Sequence, residues 1–140
     1  MAAPAAVAIC LLVPSELAHA STSWNITING QALAKGPAGN DVSCGHNPIH
    51  IVVGGNSGTF ANLTDGTLQV QRISITDSTG PTYLYDPSQV AYHVGGGDAT
   101  ATNSGKTYKI TGHIAPYTNA QQQTLKDAAP VPFEFDATCP

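Results

Sequence analysis

The residues of this 140-residue chain best able to do chemistry are its five histidines and three cysteines. His46 and His50 stand four apart. On a helix that spacing puts both imidazoles on one face, where they can share a zinc ion. Pro48 lies between them, however, and Ile49 to Val53 alternates as a strand. Extended residues four apart share a face but sit ~13 Å apart. The pair therefore reads as a loop histidine and a surface strand histidine, and no metal site is expected. His93 and His113 fall on separate strand candidates that can lie side by side. With Asp86, Asp98 or Asp136 they would supply the parts of an acid–base pair. No serine occupies a Gly-x-Ser-x-Gly turn, the strained elbow that exposes a hydrolase nucleophile. Gly54-Gly55 and Gly95 to Gly97 lack the following helix and lysine of a phosphate cradle, and read as strand ends or bulges. We expect no catalytic residue, no cofactor and no enzyme, with a small hydrolase the weakest of the readings.

The cysteines divide into one and two. Cys10 lies in an Ala-rich apolar run from Met1 to Pro14, and Ala18-His19-Ala20 offers a small-x-small cleavage site. Residues 1–20 thus read as a signal peptide cut after Ala20, leaving 21–140 as one domain. The run is too short to span a bilayer, which needs ~20 residues. No Lys or Arg precedes it, which is atypical of a signal. A lipid-anchored bacterial protein carries a small residue just before its modified cysteine. Here that residue is Ile9, and the run continues through Leu11, Leu12 and Val13. Acylation of Cys10 is therefore disfavoured against its loss with the signal. Cys44 and Cys139 remain. Two cysteines in an exported domain read as one disulfide; the alternative is a pair of buried thiols.

The elements that would position these residues are strands. Trp24, Ile26 and Ile28 alternate with Asn25 and Thr27, and Asn29-Gly30 marks a turn. Further strand candidates are Ile49 to Val53, Thr59 to Leu63, Leu68 to Thr76, Thr82 to Tyr85 and Val90 to Val94. Ala99 to Thr102 and Thr107 to Ile114 flank a turn at Asn103-Ser104-Gly105, and Val131, Phe133 and Phe135 alternate near the end. Asp65-Gly66 predicts a tight hairpin turn with both central residues at positive φ. In Leu68 to Thr76 the apolar side switches midway, from Leu68 and Val70 to Ile73 and Ile75, which predicts a bulge or a sheet crossing. Pro116 to Pro130 reads as a polar loop with room for one helical turn near Ala120 to Leu125. The tyrosines at 83, 85, 92, 108 and 117 read as packing residues. Seven or eight short strands with a turn every 8–12 residues predict an all-β fold, an antiparallel β-sandwich with one disulfide.

Charged residues make up 10% of the chain, against about 25% in an average globular protein. The net charge is −4, and the five basic residues are scattered. That excludes nucleic acid, which needs clustered Lys and Arg. Asn25-Ile-Thr and Asn62-Leu-Thr are formal glycosylation sequons, read as chance matches in a chain rich in Asn and Thr.

The order of several blocks resembles the mycobacterial nineteen-kilodalton lipoprotein antigen (LpqH-type) family. The blocks are Val42-Ser43-Cys44, Ile49 to Gly55, Leu63-Thr64-Asp65-Gly66, Tyr108 to Gly112 and Phe133 to Cys139. The resemblance implies a cell-envelope or secreted antigen, often acylated, glycosylated in a Thr-rich linker and met by the host immune system. It implies no catalytic residues. Two departures stand out: Cys10 lacks the lipobox, and the Thr-rich linker is almost absent. The expected function is non-enzymatic, by surface exposure and binding. The expected partners are host surfaces or immune receptors, with lipid or membrane association as a further prospect. The alternative is a carrier of an apolar envelope lipid held between the sheets.

Overall fold

The computed structural model describes residues 23–35, 39–55, 58–77, 81–88, 96–118, 123–124 and 129–140. Among these there is no helix. Eleven strands form: β1 (Ser23–Ile28), β2 (Gln31–Ala32), β3 (Val42–Gly45), β4 (Ile49–Val53), β5 (Phe60–Leu63), β6 (Val70–Thr76), β7 (Thr82–Tyr85), β8 (Gly97–Ser104), β9 (Thr107–Thr118), β10 (Gln123–Thr124) and β11 (Val131–Thr138). Every pairing is antiparallel. The all-β antiparallel class is as expected. The count exceeds seven or eight because β2, β3 and β10 are only two to four residues long. Segments that short carry no period.

The strands follow one hydrogen-bonded path, β2-β1-β11-β9-β7-β6-β5-β4-β3, with β8 and β10 attached to β9. β9 is shared by both halves of that path. Its residues 107–114 pair with β11 and β8, while Ala115 to Tyr117 pair with β7. The layers are therefore two halves of one curled sheet, a half-barrel folded along β9. Between them lies one core. Ile26, Ile51, Leu63, Ile73, Ile75, Ile110, Ile114 and Phe135 in it are fully buried. Strand alternation explains the choice: Trp24 and Ile26, Ile49, Ile51 and Val53, Ile73 and Ile75, and Phe133 and Phe135 are each two positions apart on their strands. Trp24 closes one end of the core, and its indole N–H donates to the Gly39 carbonyl at 2.9 Å. Tyr108 is buried and Tyr83 and Tyr85 are half-buried against the core, as packing residues should be.

Several local expectations meet a specific answer. Asn29 and Gly30 both take positive φ, 51° and 78°, between the paired residues Ile28 and Gln31. That is the two-residue hairpin that Asn-Gly favours. The apolar switch in β6 is a bulge. Asn62 faces Arg72 and Leu63 faces Val70, so Gln71 has no partner on β5. Gln71 and Arg72 are both exposed, and Ile73 returns to the core.

Other details differ. The Asp65-Gly66 hairpin is wider than expected: Thr64 and Gln69 close the loop by a backbone bond of 2.9 Å, and the positive φ falls on Gly66 and Leu68 rather than on Asp65. The Thr64 hydroxyl holds the loop by accepting from the Gln69 N–H. Asn103 and Ser104 belong to β8, and the turn is Gly105-Lys106. Pro116 to Thr118 continue β9, and Gln123 and Thr124 pair with it rather than turn helically. The rest of that proposed helical turn lies outside the described residues, as do the strand candidate Val90 to Val94, His93, Tyr92 and the whole of 1–20 with Cys10. The side chain of Tyr117 is likewise outside them.

Candidate functional site

Cys44 and Cys139 form a disulfide, with Cα atoms 5.8 Å apart and 95 residues between them in sequence. Cys44 sits on β3, the last strand of the path, and Cys139 directly follows β11. The bond ties the two halves of the curl where no strand pairing does.

The histidines are dispersed. His46 lies in the exposed turn between β3 and β4. His50, exposed on β4, hydrogen-bonds the Asn62 side chain and tilts over the Phe60 ring at 5.5 Å. The Arg72 guanidinium carbon stands over the same Phe60 ring, 6.0 Å from its centroid. No three of His, Cys, Asp or Glu converge among the described residues. His113 pairs with Asp98 across β9 and β8. Asp98 Oδ1 lies 3.1 Å from His113 Nδ1 and accepts from the His113 backbone N–H at 3.1 Å. Both side chains are more than half exposed, so the pair is a surface contact. Asp86 is elsewhere. It is buried, accepts from the Ser88 hydroxyl at 2.6 Å and stands 3.9 Å from Arg72 Nε. Of the acid–base set considered from sequence, His113 pairs with Asp98, Asp86 is engaged by Ser88 and Arg72, and Asp136 lies in register with Lys109, while His93 lies outside the described residues.

Asp136 belongs to a constellation that sequence reading did not assemble. Phe133 and Phe135 point into the core, so Glu134 and Asp136 must share the outer face of β11. The register places Asp136 between Asn25 of β1 and Lys109 of β9. Lys109 Nζ lies 3.1 Å from Glu134 Oε1. One row along, Ser23, Thr138 and Thr107 are register neighbours, and the hydroxyls of Thr107 and Thr138 stand 3.0 Å apart. Ser23, Asn25, Thr107, Lys109, Asp136 and Thr138 border an open depression of about 410 Å³. The first sequon lies within β1 and the second starts in β5 and ends just past it at Thr64, and Asn25 of the first is exposed beside this depression. The available signal was the alternation in Pro-Phe-Glu-Phe-Asp-Ala, which fixes the face. The partner from β9 is fixed only by register.

The electrostatics follow from geometry. Burial pushes the Asp136 carboxyl up to about 6, and a hydrogen bond with Glu134 and its charge add to this. Hydrogen bonds from Asp136 and Lys109 hold Glu134 below its usual range, and Glu134 in turn raises Lys109. Below about pH 6 the proton of this carboxyl pair therefore rests on Asp136 rather than on Glu134. The other Asp136 oxygen, Oδ1, is buried without a hydrogen-bond partner.

A pH dependence results. Asp136 binds its proton more tightly folded than unfolded. Between its ordinary 3.8 and about 6 the folded chain holds more protons, so stability falls as pH rises. Glu134 acts oppositely, but only below its ordinary 4.5. From pH 4.5 to 7 the Asp136 effect governs this cluster. Screening at a half-exposed site limits it to about 1 kcal/mol. Thermal unfolding should show a midpoint that drops over that window, and Asp136→Asn should remove most of the drop.

A family model described as Mycobacterium 19 kDa lipoprotein antigen matches residues 18–139. No curated protein matches the chain.

Proposed function

The chain belongs to the Mycobacterium 19 kDa lipoprotein antigen family, and from that membership we propose that it works as a displayed, non-enzymatic antigen whose exposed sheet faces do the binding. The family match over residues 18–139 carries this reading. It accords with an exported protein, in the envelope or beyond it. The side chains support it too. Lys109 is tied to Glu134, His113 to Asp98, and Arg72 stands near Asp86. The exposed pairs among these, Lys109 with Glu134 and His113 with Asp98, contribute little individually, but they leave a polar exterior of low net charge. A crosslinked β-scaffold presents such a surface with small entropic cost on binding. Host surfaces and immune receptors are the proposed partners.

Intact mass of the native protein, with surface staining of whole cells, tests the reading. The expected chain starts at Ser21, carries no acyl group and has one disulfide, and antibody to the folded domain reaches it on cells or in the medium. An acylated chain starting at Cys10 would replace the soluble form with an anchored one. A cytoplasmic pool invisible to antibody would end the display reading. Co-purifying lipid in an organic extract would favour the carrier alternative instead.

A further inference from the structure

We propose that the free edge of β8 is a self-association site, where a second copy of this chain adds its own β8 antiparallel across a two-fold axis. The inference goes beyond the display reading and does not depend on it.

β8 has eight residues and pairs only with β9 among the described strands. Ser104 and Thr107 flank the two-residue turn Gly105-Lys106, so they form the first hydrogen-bonded pair of the hairpin. Bonded pairs alternate from there. Thr102, Thr100 and Asp98 therefore direct their N–H and C=O groups to β9. Ala99, Ala101 and Asn103 direct theirs outward, and no described strand takes them up. All of β8 is exposed or half-exposed, so this row of donors and acceptors meets solvent.

An open edge recruits other strands unless something blunts it: short length, a proline, a bulge or a lysine on the strand. At the other edges length does this, since β2, β3 and β10 have two to four residues. β2 with Leu33 covers β1 from Ile26 onward. β8 has none of these devices. Its register with β9 is unbroken, and its sequence, GDATATNS, holds neither proline nor lysine.

The charges favour a second copy over a foreign strand. Asp98 lies near the start of β8 and Lys106 just past its end. A two-fold alignment centred on Ala101 sets residues 98–104 of one copy against 104–98 of the other. It brings each Lys106 to the end of the strand that carries the other copy's Asp98, and keeps the two Asp98 apart. Ala101 meets Ala101, Ala99 meets Asn103, and about six backbone hydrogen bonds form. On the exposed outer face Thr100 meets Thr102, a favourable cross-strand pair. A slip by one residue would set the outward groups against residues whose own groups point to β9. The contact is isologous and closes on itself. A single strand pairing is smaller than a standard interface, so the dimer forms in a concentration-dependent way.

Sedimentation equilibrium of the purified protein from about 10 µM to about 1 mM tests this, alongside nitrogen-15 NMR spectra over the same range. The expected result is a monomer–dimer equilibrium, with the amides of Ala99, Ala101 and Asn103 shifting most. Thr100→Lys with Thr102→Lys changes two exposed side chains and sets like charges opposite each other. That variant should fold normally and stay monomeric, as should Thr100→Glu with Thr102→Glu. Mixing the two should restore a dimer at least about tenfold tighter than either forms alone, because each lysine then faces a glutamate. A native protein that stays monomeric throughout, undiminished association in the folded lysine variant, or a mixture that does not associate overturns the proposal. An unrelated extended peptide that adds to β8 of a protein that remains monomeric overturns it in favour of a foreign strand.

Discussion

Replacing Cys44 and Cys139 together by alanine is expected to cost about 4–5 kcal/mol of folding stability. The disulfide joins residues 95 apart, which encloses most of the domain in a single loop. In the chain-entropy account a link of that span removes a large share of the freedom of the unfolded chain. The topology adds a native-state reason. The hydrogen-bonded path has β3 at one end, and β3 pairs only with β4 among the described strands. β11 lies near the other end, between β1 and β9. No ladder closes the curl between β3 and β11, so the covalent bond is what holds those strands over the same core. A domain of this size has a total stability of about 5–15 kcal/mol, so the loss is a large fraction of it. Urea unfolding of the oxidised protein against the double alanine variant measures the difference. The midpoint should fall steeply, and reduction of the native protein should reproduce most of the fall. Coincident unfolding curves would mean that the sheet closes without the bond.

Local pattern told most about this fold where one strand face is buried. Trp24 and Ile26, Ile49, Ile51 and Val53, and Phe133 and Phe135 alternate because each belongs to one wall of a single core. The midway switch in β6 was visible for the same reason, since an extra residue inverts which neighbours point inward. The disulfide was legible because two cysteines allow one pairing. What stayed hidden depends on register or on length. β3 has only four residues, too few for the alternation of Val42 and Cys44 with Ser43 and Gly45 to mark a strand. The extension of β9 past Ile114 is masked by Pro116, which lacks the N–H of a ladder donor yet pairs in register with Tyr83. The depression around Asp136 is the sharpest case. Glu134 and Asp136 could be placed on one face from β11 alone. That Lys109 comes beside them, and Asn25 from the other side, follows only from the offsets of β9 and β1 against β11.

Gly112→Ala is the second substitution with a large expected effect, and it tests the corner about which the sheet curls. Here β8 ends its pairing with β9 and β7 takes over. Gly97 and Gly112 flank the cross-strand pair of Asp98 and His113 on alternate strands. Gly112 has φ +154°, and a Cβ built there would stand 2.1 Å from the Asp98 carbonyl oxygen and 2.7 Å from Asp98 Oδ1. The same is true in mirror fashion of Gly97, whose Cβ would meet the His113 carbonyl oxygen at 2.1 Å. The nearest obstructing atoms are backbone carbonyl oxygens and cannot rotate away. A methyl group at 112 must therefore push β8 off β9, breaking the Asp98 contacts to His113 as it goes. Backbone strain of about 1–3 kcal/mol and overpacking of about 1–3 kcal/mol together give a loss of about 2–6 kcal/mol. Gly45→Ala is the matched control. Gly45 also lies in a strand, but its added Cβ would meet nothing nearer than His50 Cβ at 3.9 Å. Thermal unfolding should separate the two variants by several degrees, and hydrogen exchange in Gly112→Ala should speed up first along Thr100 to Asn103. If the two variants unfold together, the strands at this corner are not in the close approach that the paired glycines permit, and the turn of the sheet must be set elsewhere along β9.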